Sequence, residues 1–214
     1  MTPKIKEMTM QLFTLLLVFP ILFLGGCATM NEAECLHADW TAIGMEDGTR
    51  GRDLSYLSRH RKACAKHGIS PEVAPYMSGY KAGLAQFCVP ERGLQLGLSG
   101  GRYNGICPEE LTNPFVTAYQ QGYGIFQAEQ RIKKVSTRIN DQKEYLNELH
   151  DEIKATKSQI ISAKTPEKDR GLLLKELKIL EREREDTKTE IWQLKQHKKN
   201  AIFQLGILRQ QAGI

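Results

Sequence analysis

The sequence predicts a mainly α-helical protein: a small glycine-rich, disulfide-stabilised helical head followed by a long antiparallel coiled-coil helical hairpin. Three observations predict it. Of the 18 glycines, only Gly171, Gly206 and Gly213 lie beyond residue 127. Cys35, Cys64, Cys88 and Cys107 are spaced through the same early part. After residue 124, apolar residues recur every seven, as in helices supercoiled about one another. The chain accordingly divides into a leader over 1–26, a head over 27–127 and a hairpin over 128–214, with its turn near 163–168.

In the leader, Lys4 and Lys6 precede an apolar run from Leu12 to Leu24 that Pro20 interrupts. The run falls short of the roughly 20 apolar residues a bilayer span needs, but it fits the apolar core of a signal peptide. Leu24-Gly25-Gly26-Cys27 then reads as a lipobox, with leucine three positions before the cysteine and small residues where a peptidase cuts. Residues 1–26 are expected to be removed and Cys27 to carry two or three acyl chains such as palmitate, enough to anchor the protein stably. Ala28, in place of an aspartate, favours the outer membrane facing the periplasm. An ordinary secretory signal with an incidental cysteine is the alternative.

Charge is uneven along the mature chain. Residues 28–127 hold 9 Lys and Arg against 10 Asp and Glu, and residues 128–214 hold 19 against 14. The basic excess therefore belongs to the hairpin, where it reads as a solvated face or a surface for anionic lipid or cell-wall polymer; the compartment excludes nucleic acid. In an oxidising space the four remaining cysteines imply two disulfides, with three connectivities open. Cys35 with Cys64 and Cys88 with Cys107 are favoured because each pair closes a short local loop, contributing about 3 kcal/mol on the chain-entropy model. The competing reading takes Cys35, His37, Cys64 and His67 as a zinc set. The Cys-x-His spacing is tight for that, and His67 before Gly68 suits a helix C-terminus. No metal or cofactor is expected.

The head reads as successive short helices. Asp39-Trp40 opens one that runs through Gly44 to Gly48, and Asp53 caps a second that ends at His67 before Gly68. Ser70-Pro71-Glu72 starts a third, with serine as cap and proline at the first helical position, that runs to about Cys88. Gly93, Gly97, Gly100, Gly101 and Gly105 are expected in a loop closed by Cys107-Pro108, and Asn113-Pro114 starts another helix. Trp40-x3-Gly44-x3-Gly48, Tyr76-x2-Gly79-x3-Gly83 and Phe115-x2-Ala118-x3-Gly122 echo one another. Small residues four apart share a helix face and let backbones approach closely. Tight packing is the favoured meaning; the alternative is that Trp40, Tyr76, Tyr80, Tyr103 and Tyr119 line a glycan- or peptide-binding groove.

Asp39-Trp40, Gly44, Asp47-Gly48, Gly51, Cys64, Gly68, Tyr76, Gly79, Gly83-Leu84, Cys88, Gly93, Gly97, Tyr103-x-Gly105 and Cys107-Pro108 together resemble the pattern of the domain of unknown function 2799 family. The resemblance covers roughly residues 35–127. It implies a small lipoprotein of a Gram-negative envelope, and it implies no activity or site.

The hairpin follows from its heptads. Ile125, Ile132, Ile139, Leu146, Ile153 and Ile160 alternate with Ala128, Val135, Gln142, Leu149, Thr156 and Ala163. After Thr165-Pro166-Glu167 the seam resumes as Leu173, Leu177, Leu180, Arg184, Thr187, Ile191, Leu194, Lys198, Ala201, Leu205 and Leu208. Proline in a helix interior costs about 3 kcal/mol, so the chain turns there. Antiparallel pairs whose numbers sum to 333, such as Ile139 with Leu194, set every polar seam residue against an apolar one. Trp192 and Phe203, eleven apart, form an outward aromatic stripe and a candidate partner site.

Asp39, Asp47, His60 and His67 offer acid and base groups but come with no nucleophile motif or complete metal box. Asp47 reads as helix-end chemistry and His60 as a surface or packing residue. The expected function is therefore not enzymatic: a membrane-anchored periplasmic lipoprotein that meets an envelope protein through its hairpin. The alternative is peptidoglycan or glycan binding by the Tyr- and Gly-rich head.

Overall fold

The computed structural model describes residues 30–214. The leader over 1–26 and Cys27 lie outside them. The fold is all helix among the described residues: α1 (Glu32–Leu36), α2 (Trp40–Thr49), α3 (Ser55–Ala65), α4 (Val73–Phe87), α5 (Pro90–Leu98), α6 (Glu109–Ile161) and α7 (Glu167–Gln211). Disulfides join Cys35 to Cys64 and Cys88 to Cys107.

Local chemistry explains most of the boundaries. Asn31 and Glu34 form a reciprocal capping box on α1, each side chain accepting the other's backbone N–H. Asp39 accepts the Ala42 N–H at 3.0 Å and caps α2 as expected. Asp53 accepts the Ser55 N–H at 2.8 Å at the start of α3. That helix ends at Ala65, two residues before His67, and Gly68 takes the left-handed conformation at φ 71°.

Three starts differ from the sequence reading, each for a reason involving proline. Helix α4 begins at Val73 and not at Pro71, because Pro75 would lose an intrahelical bond if the helix began at 71. With Val73 first, Pro75 falls among the positions whose N–H has no intrahelical partner, and the first bond runs from the Tyr76 N–H to the Glu72 carbonyl. The expected glycine loop contains α5, which Pro90 starts from the first helical position; Gly93 and Gly97 lie inside it. Helix α6 begins at Glu109, five residues ahead of Pro114, which it carries in its interior. Thr112 secures that first turn by donating to the Cys107 and Pro108 carbonyls, and Glu109 and Glu110 sit favourably at the positive helix end. The carbonyl that Pro114 leaves unpaired belongs to the exposed Glu110.

The chain divides into two compact units after Gly83. In the first unit, α2 and α4 meet backbone to backbone. A Cβ on Gly44 would fall on the Tyr76 carbonyl, and one on Gly79 or Gly83 would fall on the Thr41 or Met45 carbonyl. In the second, α5 and α6 meet in the same way, with Gly93 against the Phe115 carbonyl, Gly97 against that of Tyr119 and Gly122 against that of Leu94. The small-residue echo is thus a packing device, and it occurs twice. Composition changes near residue 127, but α6 runs through that point without a break.

The rest of the second unit is the hairpin. Every α7 seam position from Leu173 to Leu208 is buried or half-buried, and most positions between are exposed. Four pairs link the arms: Arg138 with Glu190, Tyr145 with Glu183, Lys157 with Glu181 at 2.8 Å, and Glu129 with Arg209 at 2.7 Å. Their residue numbers sum to 328 or 338, five to either side of 333, as expected for the positions flanking an antiparallel seam in that register. The turn closes slightly earlier than expected. Helix α6 ends at Ile161, Ala163 is exposed beyond it, and Thr165 donates its hydroxyl back to the Gln159 carbonyl without capping α7.

Candidate functional site

The two small-helix packings correspond residue by residue, and the correspondence isolates what is special about the first. Gly44 and Gly48 on α2 match Gly93 and Gly97 on α5. The turns that follow are bonded alike: Gly51 N–H to Gly48 and Arg52 N–H to Asp47 in one, Gly100 N–H to Gly97 and Gly101 N–H to Leu96 in the other. Gly51 and Gly100 hold φ of 68° and 72°, which a side chain would disfavour. Tyr80 donates its hydroxyl to the Arg52 carbonyl, and Tyr119 donates to the matching carbonyl of Gly101. Each copy is also closed by its own disulfide, between cysteines 29 positions apart in the first and 19 apart in the second.

The difference lies around Asp47. Its counterpart in the second copy is Leu96, and the counterpart of Tyr76 is Phe115. Asp47 is 1% exposed. It accepts from Arg52 at 2.8 Å through Oδ1, and from Tyr76 at 2.8 Å and His60 at 2.9 Å through Oδ2. Burial opposes the charge on Asp47, but the bonds from His60, Tyr76 and Arg52 outweigh it and hold the carboxyl below the ordinary range. The same burial, followed by the bond to Asp47, raises the Tyr76 hydroxyl far above its ordinary value. An ionised carboxylate only accepts, so His60 donates from Nε2. His60 comes from α3, an element without a helical counterpart between Gly100 and Cys107. Arg52, which also bonds Asp47, stacks on the Tyr56 ring at 4.4 Å, and Arg59 on the same ring at 4.3 Å. The sequence reads Asp47 as helix-end chemistry and His60 as a surface or packing residue, and the structure makes His60 a packing residue bonded to Asp47. Their partners lie 13 and 29 residues from Asp47, so no local spacing announces the cluster.

The arrangement ties α2, α3 and α4 together and engages both oxygens of the Asp47 carboxylate. The disulfide consumes both sulfurs of the zinc alternative, and His37 and His67 are exposed. Among the described residues no three His, Cys, Asp or Glu side chains converge as a metal site would require.

Of the five head aromatics, for which packing is the favoured reading and a groove the alternative, three cannot line a groove. Trp40, Tyr76 and Tyr80 are 5%, 0% and 4% exposed and pack the first unit's core. Tyr103 and Tyr119 are half-buried in the second unit and continue through Tyr123 to Phe126, each ring 5.7–6.0 Å from the next. Their hydroxyls are engaged: Tyr103 accepts the Cys107 N–H, and Tyr119 donates to Gly101.

On the hairpin, Trp192 and Phe203 are 62% and 68% exposed. A second apolar surface, absent from the sequence reading, lies near the turn. Ile161, Leu172, Leu174 and Ile179 are exposed there, and Ile153, Ile161, Leu174 and Leu177 border an open groove of about 690 Å³ edged by Lys154 and Lys157. The signal is present in the sequence: Ile161, Leu172, Leu174 and Ile179 are apolar yet fall outside the seam positions.

Residues 39–124 match the model of a family described as "Protein of unknown function (DUF2799)". The match spans both copies of the small-helix packing and stops where the heptads begin. Comparison with curated proteins and with solved structures finds no match.

Proposed function

We propose that this chain, which carries the DUF2799 family domain over residues 39–124, is a lipid-anchored envelope protein that docks on another envelope protein through its hairpin. The observation that carries the reading is the hairpin itself. Helix α7 alone has 45 residues, about 65 Å at 1.5 Å per residue, and near its turn it offers apolar side chains that the seam does not use. Exposed apolar surface rimmed by charge suits a partner. The lipobox at Leu24 to Cys27 supplies the anchor, and Ala28 favours the periplasmic face of the outer membrane. Two disulfides in the head suit an oxidising compartment. The proposed role is non-catalytic, in keeping with an Asp47 carboxylate whose two oxygens are both engaged in holding the first unit together.

Photo-crosslinking in cells from position 174 tests the docking, with mass spectrometry of the mature N-terminus run alongside. A discrete protein adduct from 174, absent when the crosslinker is placed at the seam position 191, is expected together with an acylated Cys27. Adducts that are the same from both positions would overturn the docking, and an unmodified N-terminus elsewhere would overturn the anchor.

The half-buried row from Tyr103 to Phe126 favours a second reading, glycan binding by the head. Co-sedimentation with purified cell-wall sacculi that is lost on Tyr123→Ala would support it over hairpin docking.

A further inference from the structure

The register divides the hairpin's charge into two unlike halves. Residue 143 faces residue 190, so a cut there separates a base half, 128–143 with 190–214, from a turn half, 144–189. The base half carries nine Lys and Arg against three Asp and Glu, while the turn half carries ten against eleven. Two of the three base acids are already paired, Glu129 with Arg209 and Glu190 with Arg138. From residue 191 to the end there is no acidic residue, and Lys195, Lys198, Lys199 and Arg209 stand in that stretch. The two most exposed aromatic residues of the chain's described part open onto this cationic half. Trp192, Lys195, Lys199 and Phe203 follow one another at intervals of three and four residues, so they share one face of α7, and all four are exposed.

We propose that this stripe docks the base of the hairpin onto an anionic lipid surface. Tryptophan favours the membrane–water interface, where its ring reaches the headgroup boundary, and lysine stems lie along apolar surface while their ammonium groups stay wet. Basic residues alternating with exposed aromatics on one helix face are what an interfacial helix requires. A soluble polyanion would be satisfied by the lysines and gives the outward aromatics no role. An apolar protein groove would take the aromatics and leave the one-sided charge without a use. The lipid surface uses both. This docking is separate from the protein contact assigned to the turn half and does not depend on acylation of Cys27.

The test uses residues 28–214, which keep every described element and carry no acyl chain, so its result is independent of the anchor. Co-sedimentation is measured with vesicles of zwitterionic lipid alone and with vesicles containing a quarter of anionic lipid, while tryptophan emission is recorded. Binding is expected to the anionic vesicles only, with a blue shift that Trp192→Phe abolishes, since Trp40 is buried in the core. Neutralising Lys195 and Lys199 to Gln should weaken binding about five-fold for each lysine. The pair Trp192→Ser and Phe203→Ser should weaken it by ten-fold or more with the helical circular dichroism unchanged, because both positions are exposed. Absence of binding overturns the proposal, as does equal binding to zwitterionic vesicles. Binding that survives the Trp192 and Phe203 changes would mean charge attraction alone and overturn it too.

Discussion

At Asp47 one buried carboxylate gathers three donors from three parts of the first unit, and the second copy shows the same packing without it. Leu96 and Phe115 stand at the places of Asp47 and Tyr76, and α5 and α6 still meet through their glycines. The polar cluster is therefore not required by the packing geometry; it replaces an apolar pair with a hydrogen-bonded one. Asp47→Leu alone should strand the Tyr76 hydroxyl, which is 0% exposed, and cost about 3 kcal/mol or more. Adding Tyr76→Phe should restore part of that loss. The double variant is expected to cost less than the sum of the single ones by about 1–3 kcal/mol, read from urea unfolding of the four proteins. Additive costs would show that the second copy is no template for the first. The sign with pH follows from the lowered Asp47 value. Its stabilising contribution is present above the unfolded carboxyl range, near pH 4, and is lost as pH falls through the folded value, so the double variant should lose less stability between pH 5 and pH 2. Little of this was legible in sequence. Asp39 and Asn31 act within three residues, and local patterns reveal caps of that kind. Asp47 acts on His60 and Tyr76 across the fold, and a single sequence carries no mark of that.

Elements were more readable where their signal repeats. The seam from Ile125 to Leu208 is periodic in both arms, so the pairing could be written down residue by residue, and the four links between the arms agree with it. Glycine misled where it was read one residue at a time. Gly93 and Gly97 looked like loop residues beside Gly100 and Gly101, yet they repeat the four-residue interval of Gly44 and Gly48, and Val89-Pro90-Glu91 before them is a helix start. The starts of α4 and α6 differ from the sequence reading because Pro71 and Pro114 each read as a first helical position, and neither holds that place in the fold. Pro75 moved one start later; Pro114 was tolerated inside α6. The register itself can be tested by paired cysteines. Ile139→Cys with Leu194→Cys should form a disulfide readily under mild oxidation. Ile139→Cys with Thr187→Cys or with Ala201→Cys, each one heptad away, should not, because a heptad displaces the partner by about 10 Å. Equal crosslinking of all three would mean an arm that slides.

For the whole molecule, the division after Gly83 places one disulfide in each unit, and the units coincide with the two copies of the packing, the second extended by the hairpin. The boundary near 127 suggested by composition marks where glycine gives way to heptads. It does not mark where contacts divide, because α6 belongs both to the second copy and to the hairpin. Two units with separate cores can open separately. Replacing Cys35 and Cys64 by serine should remove about 3–4 kcal/mol of loop constraint, on the chain-entropy model, from the first unit. Amide hydrogen exchange should then quicken for buried positions of α2 and α3 and stay unchanged for the seam residues of α6 and α7. The continuous helix α4 is the element that can defeat this expectation, since it carries the division within its own length. Faster exchange at Ile139 and Ile191 to the same degree as at Gly44 would mean that α4 transmits the loss and that the chain unfolds as one cooperative body.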